Sequence, residues 1–217
     1  RGYIDDYPRF QTTFEPWPND SLAPEVVQRM IAATQRVGVG PMAAVAGAIN
    51  SMVGESLLSE VTEIPTAKRE LIIENGGDLF IFGHQTWVVA IYAGDSPFSQ
   101  KIGLRVSPEI YGLKGINGQF TLGICTSSGT VGPSLSLGRA DAAVIVATDV
   151  TLADAVATAT ANRIKSPDDL KKAILYPETI PGVIGALLIC GEKIGVWGKI
   201  ELVNLADNSS PLGSVEQ

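Results

Sequence analysis

The sequence has few of the residues that build disulfide frameworks or zinc sites. Its 217 residues include two cysteines, Cys125 and Cys190, and one histidine, His84. This set is too small for a structural zinc site or for several disulfides. We therefore expect reduced thiols and a cytoplasmic protein. The sequence begins at Arg1 rather than at Met, which leaves open a preceding segment such as a signal peptide.

The sequence also lacks basic clusters and long apolar runs. It has 16 basic and 23 acidic residues, a net charge of −7, and no run of Lys or Arg, so we expect no nucleic-acid partner. No stretch of about 18 apolar residues is present, so we expect no membrane span. Hydrophobic residues make up 45% of the chain and charged residues 18%, which is typical of a globular protein with its own core.

Short strand-like segments occur in pairs, with a few helices between them. This pattern predicts an α+β fold, in which helices pack on antiparallel sheets in a single domain. A doubly wound parallel sheet is the weaker alternative. We place the domain at residues 24–203, after an irregular N-terminal arm at residues 1–23 and before a polar tail at residues 204–217.

Two helices are predicted in the first quarter of the chain. The first begins at Pro24, and its apolar residues recur at helical spacing. The second begins after Pro41, and residues 42–52 are mostly small and apolar. Such a helix has little polar face, so we expect it to lie buried, with its backbone close to a sheet. The motif Gly-x-Gly-x-x-Ala at residues 38–43 has the letters of a dinucleotide-binding fingerprint, but it follows a helix rather than a strand, which favours a turn between two helices.

A predicted hairpin carries the first candidate ligand-binding residues. Its turn is Asn75-Gly76-Gly77-Asp78, between two apolar strands, and Asn-Gly is a strong hairpin signal without any function. Alternatively, the glycines allow a ligand to approach the backbone, while Asn75 or Asp78 binds it.

A segment rich in hydroxyl groups, Thr126-Ser127-Ser128-Gly129-Thr130, follows a short apolar strand that ends at Cys125. Such a segment can form a nest of N–H groups for an anion, or present a hydroxyl as a nucleophile. It can equally be a Ser/Thr turn that satisfies its own backbone. A structural role is favoured for Cys125, because it ends an apolar strand.

The helix predicted over residues 151–164 presents a carboxylate and a hydroxyl on one face. Asp154 and Thr158 are four residues apart, and both are hard oxygen ligands of the kind that Mg²⁺ prefers. The alternative is a capping box, in which Thr151 caps the helix and Asp154 meets its dipole.

Four motifs in this order resemble the ApbE-like superfamily, in its small branch related to the thiamine biosynthesis protein ApbE. They are VGPMAAVAGAI at residues 39–49, ENGGD at 74–78, CTSSGTVG at 125–132 and ADAVAT at 153–158. The resemblance covers residues 20–203. It implies an α+β fold of the tunnelling type and a relation to FAD:protein FMN transferases, which use Mg²⁺ and FAD to attach FMN to a Thr or Ser of an acceptor protein.

The resemblance also implies roles for individual residues. The family's metal ligands correspond to Asp154, Thr158 and the backbone carbonyl of Ala43. A flavin or another phosphorylated ligand is expected between two segments, one formed by Asn75, Gly76, Gly77 and Asp78 and the other by Thr126, Ser127, Ser128 and Gly129. The resemblance assigns no catalytic residue.

Two positions depart from the family's pattern. Ala44 stands where the transferases have Lys, and Pro133 stands where related sequences have His. Both differences remove a group that would balance or move charge in pyrophosphate cleavage. The first hypothesis is therefore an FMN transferase. The second is a flavin- or ligand-binding accessory protein without transfer, in sulfur metabolism, and the third is a structural subunit of a homo-oligomer.

Overall fold

Antiparallel sheets and the helices that pack against them form the fold. The computed structural model describes residues 2–65, 68–111, 120–130 and 137–206. A six-stranded sheet has the order β1-β2-β5-β6-β7-β8, and a three-stranded sheet has the order β3-β4-β9. The strands are β1 (Leu71–Asn75), β2 (Asp78–Gly83), β3 (Trp87–Ala90), β4 (Ile102–Val106), β5 (Phe120–Ser127), β6 (Ala142–Ala147), β7 (Val183–Cys190), β8 (Lys193–Gly198) and β9 (Glu201–Asn204).

The helices connect the strands and lie mostly before β1 and after β6. They are α1 (Gly2–Asp6), α2 (Pro8–Thr12), α3 (Glu25–Gln35), α4 (Val45–Glu60), α5 (Pro108–Tyr111), α6 (Val150–Ala161), α7 (Leu170–Ala173) and α8 (Leu175–Glu178). Short 3-10 helices precede α4 at Pro41–Ala44 and α7 at Pro167–Asp169. In the described part of the chain, no helix has both the length and the hydropathy needed to cross a membrane.

Every strand pairing in the two sheets is antiparallel. This confirms the predicted α+β class, with helices packed on antiparallel sheets, and the doubly wound alternative is wrong. The predicted hairpin is also confirmed, since Asn75 pairs with Asp78. Gly76 and Gly77 in its turn have φ of 65° and 100°, a conformation that glycine adopts at no steric cost.

The N-terminal arm at residues 1–23 was expected to be irregular, yet it contains α1 and α2. Each is only five residues long, too short to show a helical repeat in the sequence. Their aromatic rings pack edge to face, with Phe10 5.1 Å from Tyr3 and 5.5 Å from Trp17 between ring centroids. Phe10 is buried in one cluster with the inner residues of α3. Tertiary contacts therefore order this segment.

The end of the chain also differs from the prediction. After β8 the chain turns at Gly198, where φ is 76°, and β9 joins the other sheet. Asn204, the first residue of the predicted tail, ends β9. Residues 207–217 of the tail lie outside the described residues, as do 112–119 and 131–136, which include Pro133.

Candidate functional site

Helices α4 and α6 lie unusually close together, at the point where α4 begins. A Cβ atom on Gly47 would lie 2.6 Å from the carbonyl oxygen of Val150 and 2.8 Å from Cβ of Asp154. Real side chains do not approach backbone atoms so closely, so this contact requires glycine. The small residues of α4 thus bring its backbone close to a neighbour, as predicted, but the neighbour at this point is a helix.

Asp154 lies in this contact and is buried. Its Oδ2 atom accepts a hydrogen bond of 2.9 Å from the backbone N–H of Gly47, one of the first amides of α4, which have no partner within their own helix. The predicted capping box on α6 is wrong, because Asp149 is the N-cap of α6 and accepts from the N–H of Leu152 at 3.2 Å. Asp154 instead accepts a hydrogen bond from a backbone N–H in the first turn of α4, a neighbouring helix.

Asp78 is a second buried carboxylate on the same side of the six-stranded sheet. Its Oδ1 atom accepts a hydrogen bond of 3.2 Å from the N–H of Thr126, and its carbonyl accepts one of 2.8 Å from the side chain of Asn50. Burial raises the pKa of Asp78 to about 6, and the charge of Glu74 adds to the shift.

Asp78, Cys125 and Asp154 influence one another, so they form one cluster. Burial raises the pKa of Asp154, and the charge of Asp78 raises it further. Burial also raises the pKa of the Cys125 thiol, and the charges of Asp78 and Asp154 raise it further. The thiol donates to the carbonyl of Val150 at 3.4 Å. Cys125 therefore has the structural position that its apolar surroundings predicted.

Thr158 and Ser127 extend this cluster by a pair of hydroxyl groups. Thr158 lies one turn after Asp154 on α6 and is half-buried, and its Oγ1 atom is 3.5 Å from Oγ of Ser127. Ser127 ends β5 and faces the helices, because it is two residues from Cys125 along the strand. We define the acidic cluster as Asp78, Cys125, Ser127, Asp154 and Thr158.

The remaining predicted residues lie beside the acidic cluster or have other partners. Thr126 is the strand neighbour of Ser127, so its side chain lies on the opposite face of β5. Ser128 donates to the carbonyl of Ala140 at 3.3 Å, and the N–H of Gly129 donates to the same carbonyl at 2.9 Å. These two contacts tie the segment to the chain just before β6, while the N–H of Thr130 donates to Oγ of Ser128 at 3.1 Å, which is the local contact of a Ser/Thr turn. The predicted loop begins later than expected, because Thr126 and Ser127 belong to β5.

Two other predicted elements flank the acidic cluster. Asn75 and Gly76 are exposed in the hairpin turn that leads into Asp78, and the N–H of Gly77 donates to Glu74 at 2.9 Å. On the other side, Ala43 is half-buried in the 3-10 helix before α4. Its side chain packs on the core cluster that contains several residues of α6. Ala43 therefore lies at the α4–α6 contact.

The acidic cluster offers oxygen donors but no ready-made metal cage. No group of three or more His, Cys, Asp or Glu side chains that could hold a metal ion occurs within the described ranges. Neither Asp78 nor Asp154 has an ion pair with a basic side chain there. Two carboxylates with nearby hydroxyls suit Mg²⁺, which binds one or two carboxylates and keeps waters or phosphates as further ligands.

Comparisons with known proteins place the chain in a family. The profile of the family described as AbpE bacteria matches residues 1–175. The UPF0280 protein of Methanocella arvoryzae is 42% identical over 199 residues, which cover 92% of this chain and 75% of that protein. The chain belongs to the UPF0280 family. It is also 41% identical over 206 residues to the UPF0280 protein of Methanosarcina acetivorans, covering 94% of this chain and 75% of that protein.

A more distant member of the UPF0280 family matches nearly the whole chain. The UPF0280 protein MJ1526 of Methanocaldococcus jannaschii is 34% identical over 216 residues, which cover 98% of this chain and 82% of that protein. The match extends across all the elements that carry the acidic cluster.

Sequence reasoning missed a cavity of about 400 Å³ at the first turn of α6. Its lining includes Arg29, Arg36, Ser51 and Thr151, and none of the predicted site residues is among the described residues that line it. Arg29 is already paired with Glu25 and Glu55, each at 2.6 Å. The cavity forms where three helices and two strands meet, and no local motif in the sequence marks that junction.

Proposed function

We propose that this member of the UPF0280 family binds Mg²⁺ and FAD at the acidic cluster and transfers FMN to a Thr or Ser of an acceptor protein. The observation that carries the proposal is the convergence of Asp78 from β2, Ser127 from β5, and Asp154 with Thr158 from α6. They come from distant parts of the chain and form one group of oxygen donors. The resemblance of its four sequence motifs to the ApbE-like transferases suggests the reaction.

Charge supports a divalent cation at this position. The charge of Asp78 raises the pKa of Asp154, which means that two buried like charges disfavour each other. A cation between or beside them would remove this repulsion and lower both pKa values. Asp154 and Thr158 would hold the ion, with the carbonyl of Ala43 as a third protein ligand, and the ion would neutralise charge on the pyrophosphate.

The proposed transfer is a nucleophilic substitution at phosphorus. The hydroxyl oxygen of the acceptor forms a bond to the phosphorus of the FMN half of FAD, the bond from that phosphorus to the bridging oxygen breaks, and AMP leaves. The acceptor's proton requires a base. Asp78 suits this role, because it is not one of the proposed ligands of the ion and a pKa no higher than about 6 keeps its carboxylate ionised at neutral pH.

The hairpin turn supports a ligand beside Asp78. Gly76 and Gly77 have no side chain, and a Cβ atom on Gly76 would meet no atom within 4 Å. A flat ligand or a phosphate can therefore approach the backbone of the turn. The compartment that suits this chemistry is the cytoplasm, where the two buried thiols stay reduced.

A second candidate function keeps the ligand and omits the transfer. Ala44 stands where the transferases have Lys, and it is fully buried in the 3-10 helix before α4. The packing around Ala44 therefore excludes a lysine chain, and the cation that would assist pyrophosphate cleavage is missing. This observation favours a flavin- or ligand-binding protein that assists another enzyme.

One experiment separates the two functions. Purified protein is mixed with FAD, Mg²⁺ and candidate acceptor proteins, and free AMP and covalently bound flavin are measured. Transfer predicts equal amounts of AMP and flavinylated acceptor. Binding of FAD without AMP supports the second function, and absence of Mg²⁺-dependent FAD binding contradicts both.

The variant Asp154→Asn tests the metal site. Asn keeps an oxygen that accepts from the N–H of Gly47 but removes the charge, so we expect at least a tenfold loss of Mg²⁺-dependent FAD affinity in a folded protein. Asp149→Asn is the matched control, because Asn also caps a helix and residue 149 does not belong to the acidic cluster. Equal affinity in the two variants would remove Asp154 from the site.

A further inference from the structure

The cavity of about 400 Å³ at the first turn of α6 is separate from the acidic cluster. Helix α3 and its C-cap line it with Arg29, Ala32, Ala33 and Arg36, which share one face because they are three and four residues apart. The structure describes every residue of the acidic cluster, and none of them lines the cavity. The volume lies within the range of about 300–1,000 Å³ that is typical of small-molecule sites. Binding in this cavity is therefore independent of the proposed function.

Two buried hydroxyl groups line the cavity and leave one hydrogen-bond donor unused. Ser51 of α4 and Thr151 of α6 are 6% and 3% exposed, and their hydroxyl oxygens are 3.4 Å apart. Only one of the two hydroxyls can donate to the other at a time, so the second O–H needs a different acceptor. Neither side chain has another hydrogen-bond partner among the described residues. A buried donor without an acceptor costs free energy, and a ligand oxygen in the cavity would remove that cost.

The backbone of α6 adds a donor beside this hydroxyl pair. The side chain of Asp149 caps the N–H of Leu152 at 3.2 Å, whereas the N–H of Thr151 has no acceptor in the described part of the chain. The first amides of a helix lack partners within it, and together with the helix dipole they favour an anion. Because Thr151 contributes both its N–H and its hydroxyl, these donors lie at the same end of the cavity.

Arg36 contributes a positive charge to the cavity. One of its guanidinium nitrogens donates to the carbonyl of Pro181, and no carboxylate pairs with Arg36 within the described ranges. A guanidinium has five N–H donors, so most of them stay available. The other charged side chains of the lining are engaged, since Arg29 pairs with Glu55 at 2.6 Å and Asp149 is the N-cap of α6. The unused groups are therefore donors, which require a ligand rich in acceptor oxygens.

We propose that this cavity binds a phosphate group, carried by a small organic molecule. The hydroxyl pair, the N–H of Thr151 and the guanidinium of Arg36 approach the cavity from α4, α6 and the end of α3. Donors from several directions suit the oxygens of one tetrahedral phosphate. Ala33, Phe80 and Val150 line the same cavity and offer apolar surface to the organic part of the ligand.

The first test titrates the whole chain with inorganic phosphate and with phenyl phosphate, in EDTA and without FAD, and follows backbone amides by NMR. We expect saturable shifts at residues 51 and 151, and a loss of affinity of about fivefold or more in Arg36→Gln. Arg9→Gln is the matched control, because Arg9 is exposed on α2 and does not line the cavity. Tighter binding of phenyl phosphate identifies an ester as the ligand, and equal binding identifies free phosphate. Absence of saturable shifts, or an equal loss in both variants, would overturn the proposal.

The hydroxyl pair is tested by Ser51→Ala and Thr151→Val. Each variant removes one hydroxyl and is expected to weaken phosphate binding about threefold or more. Ser59→Ala is the matched control, since Ser59 is an exposed hydroxyl of α4 outside the cavity. If both cavity variants bind phosphate as tightly as Ser59→Ala, the proposal is wrong. Asp154→Asn should bind phosphate like the wild type, so a failure of the metal site and a failure of this cavity give different results.

Discussion

Both faces of the six-stranded sheet pack into an apolar core, but the acidic cluster lies on one of them. The face that meets the three-stranded sheet is built from large aliphatic side chains, among them Ile81, Leu122, Ile124, Val144, Val146, Leu187 and Ile189. The face that meets the helices carries Asp78, Gly123, Cys125 and Ser127. One strand, β5, contributes to both, because its side chains alternate. The first face supplies an aliphatic core, whereas the second brings polar groups together beside a core of its own.

This difference explains how a small protein can bury an acidic cluster and remain folded. Buried carboxylates destabilise the folded state, since each loses its hydration. The aliphatic face stabilises the same strands and offsets this cost.

Leu122→Ala should show that the aliphatic face carries stability. Leu122 is fully buried, and removing a buried Leu side chain costs about 2–5 kcal/mol in the free energy of unfolding. Urea unfolding measures the loss, and Leu22→Ala, at an exposed position, is the control. FAD and Mg²⁺ binding by the folded variant should be unchanged. A loss below about 1 kcal/mol would contradict the assigned role of this face.

Asp78→Asn should stabilise the protein at neutral and alkaline pH. The pKa of Asp78 is raised from 3.8 to about 6 in the folded state, so ionisation opposes folding. This term is absent below pH 4, grows as the pH rises through about 6, and reaches about 3 kcal/mol above pH 7. Unfolding free energies at pH 4 and pH 8 measure it.

The expected difference between Asp78→Asn and the wild type is near zero at pH 4 and largest at pH 8. Asp168→Asn removes the same charge at an exposed position and serves as the control. If Asp78→Asn were destabilising at pH 8, the carboxylate would be stabilised by a partner rather than opposed by burial.

Gly47→Ala should separate the two helices at the site. The new Cβ would lie 2.6 Å from a carbonyl oxygen of α6, and relieving such overpacking costs about 1–3 kcal/mol. The shift also moves the N–H of residue 47, which donates a hydrogen bond to Asp154. Mg²⁺-dependent FAD affinity should therefore fall together with the free energy of unfolding. Gly195→Ala is the control, because its Cβ would have ordinary contacts at 3.8 Å. Equal stability of the two variants would contradict the close approach.

Thr158→Val should have the smallest effect on stability and a clear effect on binding. It removes one long hydrogen bond to Ser127, a loss within about 1 kcal/mol. It also removes a proposed Mg²⁺ ligand, so FAD affinity in the presence of Mg²⁺ should fall several-fold. Thr158→Ser keeps the hydroxyl and should retain affinity. If both variants bind equally well, the hydroxyl has no role in the metal site.

Part of the candidate site follows from local signals. The hairpin at Asn75 to Asp78 was predicted correctly, because Asn-Gly-Gly has a strong local preference for the positive φ angles of a hairpin turn. The common face of Asp154 and Thr158 was also predicted, because a spacing of four residues defines one side of any helix. In contrast, the cap of α6 was misplaced by two residues, since Asp149 and Thr151 are both good caps and only the structure selects one.

The partners of these residues were beyond the reach of the sequence. Asp154 accepts a hydrogen bond from the N–H of Gly47, which is 107 residues away in the sequence, and Asp78 accepts one from the N–H of Thr126, which is 48 residues away. No local sequence pattern predicts a contact between residues so far apart in the chain. The same reason explains why the ordered N-terminal arm and the cavity near Arg29 were missed.

The sequence alone determined the antiparallel α+β class, the glycine turn before Asp78, and the shared face of Asp154 and Thr158, because backbone preference and side-chain periodicity act over a few residues. The tertiary structure decided that Asp154 accepts a hydrogen bond from the first turn of α4 rather than capping its own helix. It also decided that Asp78, Cys125 and Asp154 share one buried cluster, and that a cavity lies at the first turn of α6. These features depend on which distant segments pack together, and packing is a property of the whole fold.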